Sequence, residues 1–155
     1  MMAILIELLA TFVIDLGARL GQKMGWITPM NISYFGRWIF HLCQGKNDFK
    51  NIASARPFQF EKNLGYIVHY SIGGVFSLGY WYASQIFGFS LVDAKSILAF
   101  VLLTCLAPWT LMFPLMGFGF FARKSPRLVA TSSYNHATYG AAVCFGFWLF
   151  QIISK

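Results

Sequence analysis

The sequence is poor in charge, and acidic residues are its scarcest charged type. Its 155 residues include only five Asp and Glu, against 12 Lys and Arg, and charged residues make up 11% of the chain. Soluble globular proteins carry roughly 25% charged residues, so there are too few charges here to cover a surface that faces water. Hydrophobic residues make up 57%, whereas disordered chains have low hydrophobicity. The composition therefore excludes a soluble globular enzyme and a disordered chain.

The sequence also lacks the short motifs of common catalytic and metal sites. It contains no HExxH or CxxC zinc motif, no phosphate-binding loop and no Ser-His-Asp constellation. The three cysteines, Cys43, Cys105 and Cys144, are scattered without metal-ligand spacing, so we interpret them as reduced packing residues. The sequence thus predicts no metal site, identifies no cofactor and indicates no catalytic residue.

Long apolar stretches dominate what is present. A helix that crosses the hydrocarbon core of a bilayer needs about 20 apolar residues, and four stretches meet this need: residues 3–22, 64–87, 96–121 and 134–153. The last three contain no Asp, Glu, Lys or Arg. We predict an all-α membrane protein, a single bundle of four transmembrane helices.

A further apolar stretch, residues 32–43, is too short to span a bilayer and is interrupted by Arg37 and His41. We predict an amphipathic helix at the membrane surface within the first cytoplasmic loop. Because Tyr34, Arg37, Trp38 and His41 share one face at helical spacing, two interpretations are open. The segment is either an aromatic belt or a lid over the cytoplasmic mouth of a polar site.

The distribution of Lys and Arg predicts the orientation of the chain. Loop 23–63 contains six of them and loop 122–133 three, whereas the opposite side has two, Lys95 and Lys155. Because cytoplasmic loops are enriched in Lys and Arg, we place both loops in the cytoplasm and both termini outside. Contact of these basic clusters with the anionic lipid head groups of the bilayer accounts for the net charge of +7 without nucleic acid.

The first apolar stretch carries a polar stripe. Glu7, Thr11, Asp15 and Arg19 recur every four residues, so on an α-helix each is turned about 40° from the last. An acid in mid-membrane costs roughly 2.5–3.5 kcal/mol, so the stripe is expected to face protein or water. Asp15 and Arg19 are correctly spaced for an ion pair, and such a structural salt bridge is the alternative to a functional role.

Small residues and histidines share a face in the second and fourth stretches. They recur every four positions: Gly65, His69, Gly73 and Ser77 in the second stretch, His136 and Gly140 in the fourth. Small residues at this spacing let helices approach closely. We predict helix packing at the three glycines and the serine, with both histidines directed into the bundle.

Several of these polar residues are predicted to lie at one depth. At 1.5 Å per residue, Asp15, His69 and His136 lie roughly 10, 8 and 3 Å below the cytoplasmic interface. We predict a polar cluster of Asp15, Arg19, His69, Asn135 and His136, joined by His41 from the amphipathic segment. An imidazole can carry a proton near neutral pH or bind a transition metal. For each histidine, a hydrogen bond between helices is the alternative.

Pro108 and Pro114 interrupt the third stretch. Each removes a backbone hydrogen bond and is expected to kink or locally unwind the helix. Because the freed carbonyls need a partner inside a membrane, this helix is predicted to bend around a cavity or around its neighbours.

Three segments of the chain together form a recognisable pattern: GRWIFH at residues 36–41, EKNLGYIVHYSIGG at 61–74 and SPRLVATSSYNHATYG at 125–140. In this order and with these separations, they resemble the bacterial membrane-protein family catalogued as domain of unknown function 2938. The resemblance implies a small multi-span protein of the bacterial inner membrane with no established activity. It also implies that His41, His69, His136 and Glu61 match the family pattern, whereas residues 46–51 lack a histidine associated with family members.

These observations leave three functions open. We expect a small transport or permeation component, a homo-oligomer, in which the His/Asp cluster handles a proton or a cation. One alternative is a membrane-embedded enzyme that acts on a lipid or an apolar metabolite. The other is an assembly partner of a larger membrane complex, in which the glycine seams bind other proteins.

Overall fold

The computed structural model describes residues 2–46 and 49–153, and within these ranges the chain is helical without a β-strand. The helices are α1 (Met2–Lys23), α2 (Ser33–Cys43), α3 (Glu61–Phe87), α4 (Ala94–Ala107), α5 (Phe113–Leu115) and α6 (Arg127–Ile153). A π-helical segment, Pro108–Met112, joins α4 to α5, and 3-10 turns lie at Ile52–Ser54 and Phe120–Ala122. The predicted all-α class is confirmed for the described residues.

Helix ends differ from the predicted apolar stretches in two ways. Helices α3 and α6 begin earlier than predicted, at Glu61 and Arg127, because backbone hydrogen bonding continues into polar residues that hydropathy leaves out. The third stretch stops earlier, at Leu115 instead of residue 121. The chain turns there because Gly117 and Gly119 adopt φ angles of 86° and 79°, a left-handed region that suits glycine.

Two helices are long and apolar enough to cross a membrane: Ala94–Leu115, which comprises α4, the π-helical segment and α5, and Arg127–Ile153. Only 28% and 22% of the most apolar part of each helix is buried inside the protein. The core helix of a soluble domain, in contrast, is mostly buried. Helices α1 and α3 are long enough but not apolar enough by the same measure. Helix α1 contains several charged residues, and α3 contains many Gly, Ser and Tyr residues. The fold therefore supports two of the four predicted spans on length and composition.

The helices pack around two hydrophobic cores. Helix α1 packs against α3 and α6, and α6 also packs against α4. The first core joins these helices: Ile6, Ala10, Ile14, Tyr80, Phe100, Tyr139, Val143 and Phe147. The second lies where the loop after α2 meets α5 and the turn that follows it: Ile52, Phe113, Met116, Phe118 and Ala122. A hydrogen bond from the Ile52 amide to the Met116 carbonyl, 2.9 Å long, fixes the loop to that turn.

Small residues stand at the close helix crossings. A Cβ atom on Gly36 of α2 would collide with the carbonyl oxygen of Glu61, and one on Gly65 of α3 would collide with that of Ile32. The backbones of α2 and α3 are therefore as close as glycine allows.

The other predicted packing residues also face neighbouring helices or the interior. Gly73 faces side chains of α1, Gly140 faces Val101 of α4, and Ser77 is fully buried.

Helix α1 buries two polar residues and exposes its leucines. Glu7 and Thr11 are only 3% and 1% exposed, whereas Leu5, Leu9 and Phe12 are 57%, 66% and 59% exposed. In a soluble protein an amphipathic helix turns its apolar stripe toward the core. Helix α1 buries Glu7 and Thr11 together with apolar core residues such as Ile6 and Ile14, and turns its leucines outward.

Candidate functional site

A cavity of about 790 Å³ lies between α1, α2, α3, the π-helical segment and α6. Its volume falls within the roughly 300–1,000 Å³ of small-molecule sites. Five of the six residues of the predicted polar cluster line it: Asp15, Arg19, His69, Asn135 and His136. The cavity follows residues 11–22 of α1, 66–76 of α3 and 128–139 of α6, and at 1.5 Å per residue these stretches are about 15–17 Å long.

Asp15 and His69 form the ionisable centre of this cavity. Asp15 Oδ1 lies 3.3 Å from His69 Nε2, and the Tyr70 hydroxyl donates a hydrogen bond of 3.3 Å to Asp15 Oδ2. The side chains of Asp15 and His69 are 25% and 22% exposed. A molecule or an ion in the cavity can therefore reach the pair.

The ion pair between Asp15 and Arg19, which the spacing left open as the alternative, is not formed. Asp15 instead pairs with His69 of the facing helix, and Arg19, one turn closer to the end of α1, is exposed. The geometry favours the partner across the helix crossing because α1 and α3 pack closely around Gly73.

A second polar layer lies one to two turns from Asp15 toward the N-terminus of α1. The Thr11 hydroxyl donates a 2.9 Å hydrogen bond to Glu7 Oε1, and the two side chains lie directly over Gly73 of α3. From the opposite wall, the Tyr139 hydroxyl donates a 2.6 Å hydrogen bond to the Gly73 carbonyl. The polar stripe of α1 thus continues inward from Asp15 without a break.

Sequence reasoning left Tyr70 and Tyr139 out of the predicted cluster. Tyr139 lies three residues after His136, on the same face of α6, so helical spacing alone could have indicated it. Tyr70 follows His69 directly and lies outside the four-residue pattern. Its hydrogen bond to Asp15 depends on how α1 and α3 pack, which the spacing does not give.

The α6 wall of the cavity carries polar atoms without partners. Asn135 Oδ1 and His136 Nδ1 are buried and have no hydrogen-bond partner within the described part of the chain. On helix α2, Trp38 Nε1 is likewise buried without a partner there. All three residues line the cavity. Leaving a buried polar atom unpaired costs about 1–3 kcal/mol, so stability alone does not explain this wall.

The π-helical segment forms another wall through Pro108, Leu111 and Met112. π-Helical turns inside α-helices are rare and occur frequently at functional sites. The sequence left open what the proline-containing helix bends around, and the structure places this segment against the cavity.

His41, the sixth predicted member of the cluster, lies elsewhere. Its Nε2 atom is 3.0 Å from the Arg56 carbonyl oxygen, and its ring packs against Phe40 and Phe49. It is only 6% exposed and does not line the cavity. The reason is that α2 turns this face toward the loop that follows it, and presents Phe35, Trp38 and Ile39 to the cavity instead.

The same face of α2 carries a second acid–base pair, Arg37 with Glu61, which we name the clasp. Arg37 Nε and Nη2 each lie 2.7 Å from a carboxylate oxygen of Glu61. Arg37 Nη1 donates to three loop carbonyls, those of Ile52, Ala53 and Ala55, at 3.0–3.3 Å. The hydrogen bonds between the two side chains raise the pKa of Arg37 and lower the pKa of Glu61 from their ordinary values. Arg37, interpreted from sequence as part of an aromatic belt or lid, is a buried structural residue.

Neither pair belongs to a metal site in the part of the chain that the structure describes. Within residues 2–46 and 49–153, no group of three or more His, Cys, Asp or Glu side chains is placed to hold a metal ion. The three cysteines are free. What the cavity offers chemically is a reachable carboxylate–imidazole pair, an exposed guanidinium and long apolar walls.

Comparison with curated proteins and with solved structures finds no match. A family model, in contrast, matches residues 4–153, which include both the cavity and the clasp. The chain therefore belongs to the family described as protein of unknown function (DUF2938).

Proposed function

We propose that the protein is a small multi-pass transport or permeation component of the bacterial inner membrane, in which Asp15 and His69 take up and release a proton. The observation that carries the proposal is their 3.3 Å contact in the wall of a cavity of about 790 Å³. Ionisable residues inside membrane helices are costly, and they mark ion pathways and proton relays.

The chemistry of the pair suits proton transfer. Imidazole titrates near neutral pH, and a carboxylate beside it fixes its tautomer and ring orientation. Asp15 accepts from His69 through one oxygen and from Tyr70 through the other. The second imidazole nitrogen of His69 is then the site at which a proton from the cavity arrives or leaves.

Four membrane spans are part of this proposal. The inward polar stripe and outward leucines of α1 suit a helix that is surrounded by lipid on one side and by protein on the other. With loops 23–63 and 122–133 in the cytoplasm, their Lys and Arg residues meet anionic head groups, and both termini lie outside.

A native cysteine tests this orientation. Cys43 lies in loop 23–63 and is exposed, whereas Cys105 is buried. In intact spheroplasts, a membrane-impermeant maleimide is expected to leave Cys43 unlabelled, and to label it after the membrane is permeabilised. Labelling of Cys43 in intact spheroplasts would contradict the proposed orientation, and C43S identifies the signal.

Proton movement is tested with purified protein in liposomes that enclose a pH-sensitive dye. A potassium gradient with valinomycin sets the membrane potential, and the wild type is expected to change the internal pH faster than protein-free liposomes. D15N and H69Q are expected to reduce the rate to that background. Each keeps a polar side chain of similar size but removes the ionisable group.

H41Q is the matched control for this assay. His41 is also a helix histidine, but it does not line the cavity, and glutamine can still donate to the Arg56 carbonyl. H41Q is expected to conduct protons like the wild type. Wild-type rates equal to those of empty liposomes, or equal rates in wild type and H69Q, would refute the proposed proton pathway.

The apolar walls of the cavity favour a second candidate, a membrane-embedded enzyme that acts on a lipid or an apolar metabolite. In that case the His69–Asp15 pair acts as a general base. Incubation of the protein with total membrane lipid extract, followed by mass spectrometry, distinguishes the two. A lipid species that is consumed by the wild type and not by H69Q favours the enzyme.

A further inference from the structure

One positive charge in the cavity has no counterion. Arg19 lines the cavity and is exposed, and it forms no ion pair with any residue that the structure describes. The nearest acid along α1, Asp15, is already engaged by His69 and Tyr70. The cavity therefore presents an unneutralised guanidinium.

The guanidinium of Arg19 and the apolar wall of α3 lie toward opposite ends of the cavity. Arg19 and Gln22 lie toward the end of α1, whereas Ile72, Val75 and Phe76 of α3 line the far end. The cavity is about 15–17 Å long in this direction. Asp15 and His69 lie between the two, so the cavity has a positive charge at one end, a polar centre and an apolar wall at the far end.

The cavity is open on the side of α3 and the π-helical segment. Ile67, Val75 and Leu111 line the cavity and yet are 63%, 69% and 63% exposed. In the proposed membrane arrangement this side faces acyl chains, so an apolar molecule can reach the cavity without crossing water.

We propose that this cavity binds an amphiphile with one apolar chain and an anionic head group, a carboxylate or a phosphate. Arg19 holds the head group, because a guanidinium binds both anions through paired hydrogen bonds, and the chain lies along the α3 wall toward Phe76. This inference rests on the proposed function, since it names the substrate class of the same cavity. It needs Arg19, whereas proton transfer needs Asp15 and His69.

The probe for this proposal is a long-chain fatty acid that carries a diazirine near the end of its chain. Photolysis with the protein in phosphatidylcholine nanodiscs is expected to label peptides of α3 and α6 that line the cavity. The matched alcohol, with the same chain and diazirine but a neutral end, is expected to label these peptides about tenfold less, as when a charge-assisted hydrogen bond is lost.

Variants at Arg19 provide the test of mechanism. R19Q is expected to reduce labelling by the fatty acid about tenfold. R19K keeps the charge but loses the paired hydrogen bonds, so its labelling is expected to fall between that of R19Q and that of the wild type, and wild-type labelling of R19K would contradict the proposal. R56Q removes an exposed arginine outside the cavity and is expected to match the wild type. Circular dichroism confirms that each variant is folded, and the R19K result decides the matter if R19Q is not.

Competition distinguishes the two sources of such a ligand. Unlabelled laurate displacing the probe indicates a free fatty acid, and lysophosphatidic acid displacing it indicates a lipid phosphate; either result supports the proposal. Equal labelling by acid and alcohol, or full labelling of R19Q, would overturn it and leave Arg19 as a side chain that reaches the lipid interface.

The result is independent of proton flux. D15N removes a negative charge next to Arg19 and is expected to label at least as strongly as the wild type. If flux is absent and labelling follows Arg19, binding stands without the proton pathway. If proton flux requires Asp15 but labelling does not depend on Arg19, the proton pathway stands and the proposed binding is refuted.

Discussion

The protein contains two acid–base pairs that serve different ends, the clasp of Arg37 with Glu61 and the cavity pair of Asp15 with His69. In the clasp the arginine is bound on every side, by two carboxylate oxygens and three loop carbonyls. In the cavity the contact is longer, at 3.3 Å instead of 2.7 Å, and both side chains are more exposed than those of the clasp.

This difference separates the pair that stabilises the fold from the pair that remains available for chemistry. A group whose hydrogen bonds are all satisfied by fixed backbone is expensive to disturb, so it holds elements together. A pair that is loosely held beside an open cavity can change protonation state at little cost to the fold. Stability measurements on the two pairs should therefore separate them.

The largest effect is expected for R37A. This substitution removes the guanidinium and leaves Glu61 and three loop carbonyls without their donor. Because Glu61 is only partly buried, the cost is expected to approach but not exceed the roughly 3–5 kcal/mol of breaking a fully buried pair. Unfolding of purified protein in mixed micelles by titration with SDS measures the free energy of unfolding. R56A removes a nearby exposed arginine and is expected to change it by less than about 0.5 kcal/mol. An R37A effect no larger than that of R56A would remove the distinction between the pairs.

The next effect is expected at the glycine crossing beside the clasp. G36A places a Cβ against the Glu61 carbonyl oxygen, and because the clash is with backbone, a loss of about 1–3 kcal/mol is expected. Gly79 of α3 is the matched control, since a Cβ there meets nothing within 4 Å. G79A is expected to stabilise the protein by about 0.5–1 kcal/mol. Equal effects of the two substitutions would show that α2 is not packed closely on α3.

The two pairs also differ in how far the sequence could predict them. The four-residue spacing of α1 and the histidine face of α3 each predict an inward polar face, and the topology predicts similar depths, which brings Asp15 and His69 to one layer. Nothing local predicts the clasp. Arg37 and Glu61 are joined across a loop whose path follows no helical period. The sequence pattern therefore does not distinguish Arg37 from the other basic residues of that loop.

The proline-containing helix shows the same limit of periodicity. Pro108 and Pro114 predict a bend but not its π-helical form. The end of the helix at Leu115 depends on Gly117, where the loop backbone at Phe49 and Lys50 leaves no room for a side chain. His41 lies outside the cavity for a related reason. Helical spacing assigns it to a face of α2, and only the packed loop decides what that face meets.

The pH dependence of stability is expected to come from the clasp, with an effect smaller than that of R37A. Hydrogen bonds from Arg37 hold the pKa of Glu61 below its ordinary value of 4.5. Its contribution to stability is therefore complete above pH 4.5 and is lost as the pH falls through the lowered pKa. SDS titrations of wild type and E61Q between pH 7 and the acid range measure this. The wild type should lose its advantage over E61Q in acid, and an advantage that does not change with pH would contradict the assignment.

The smallest effect on stability is expected for the pair with the largest proposed role. Partly exposed ion pairs contribute about 0.2–1 kcal/mol, so D15N and H69Q should lower the free energy of unfolding by no more than about 1 kcal/mol while reducing proton flux to the level of empty liposomes. The SDS titration and the flux assay are run on the same preparations, with H41Q as the control that retains flux. A loss from H69Q as large as that from R37A would make the cavity pair a second structural clasp, because any fall in flux would then follow from the loss of the fold.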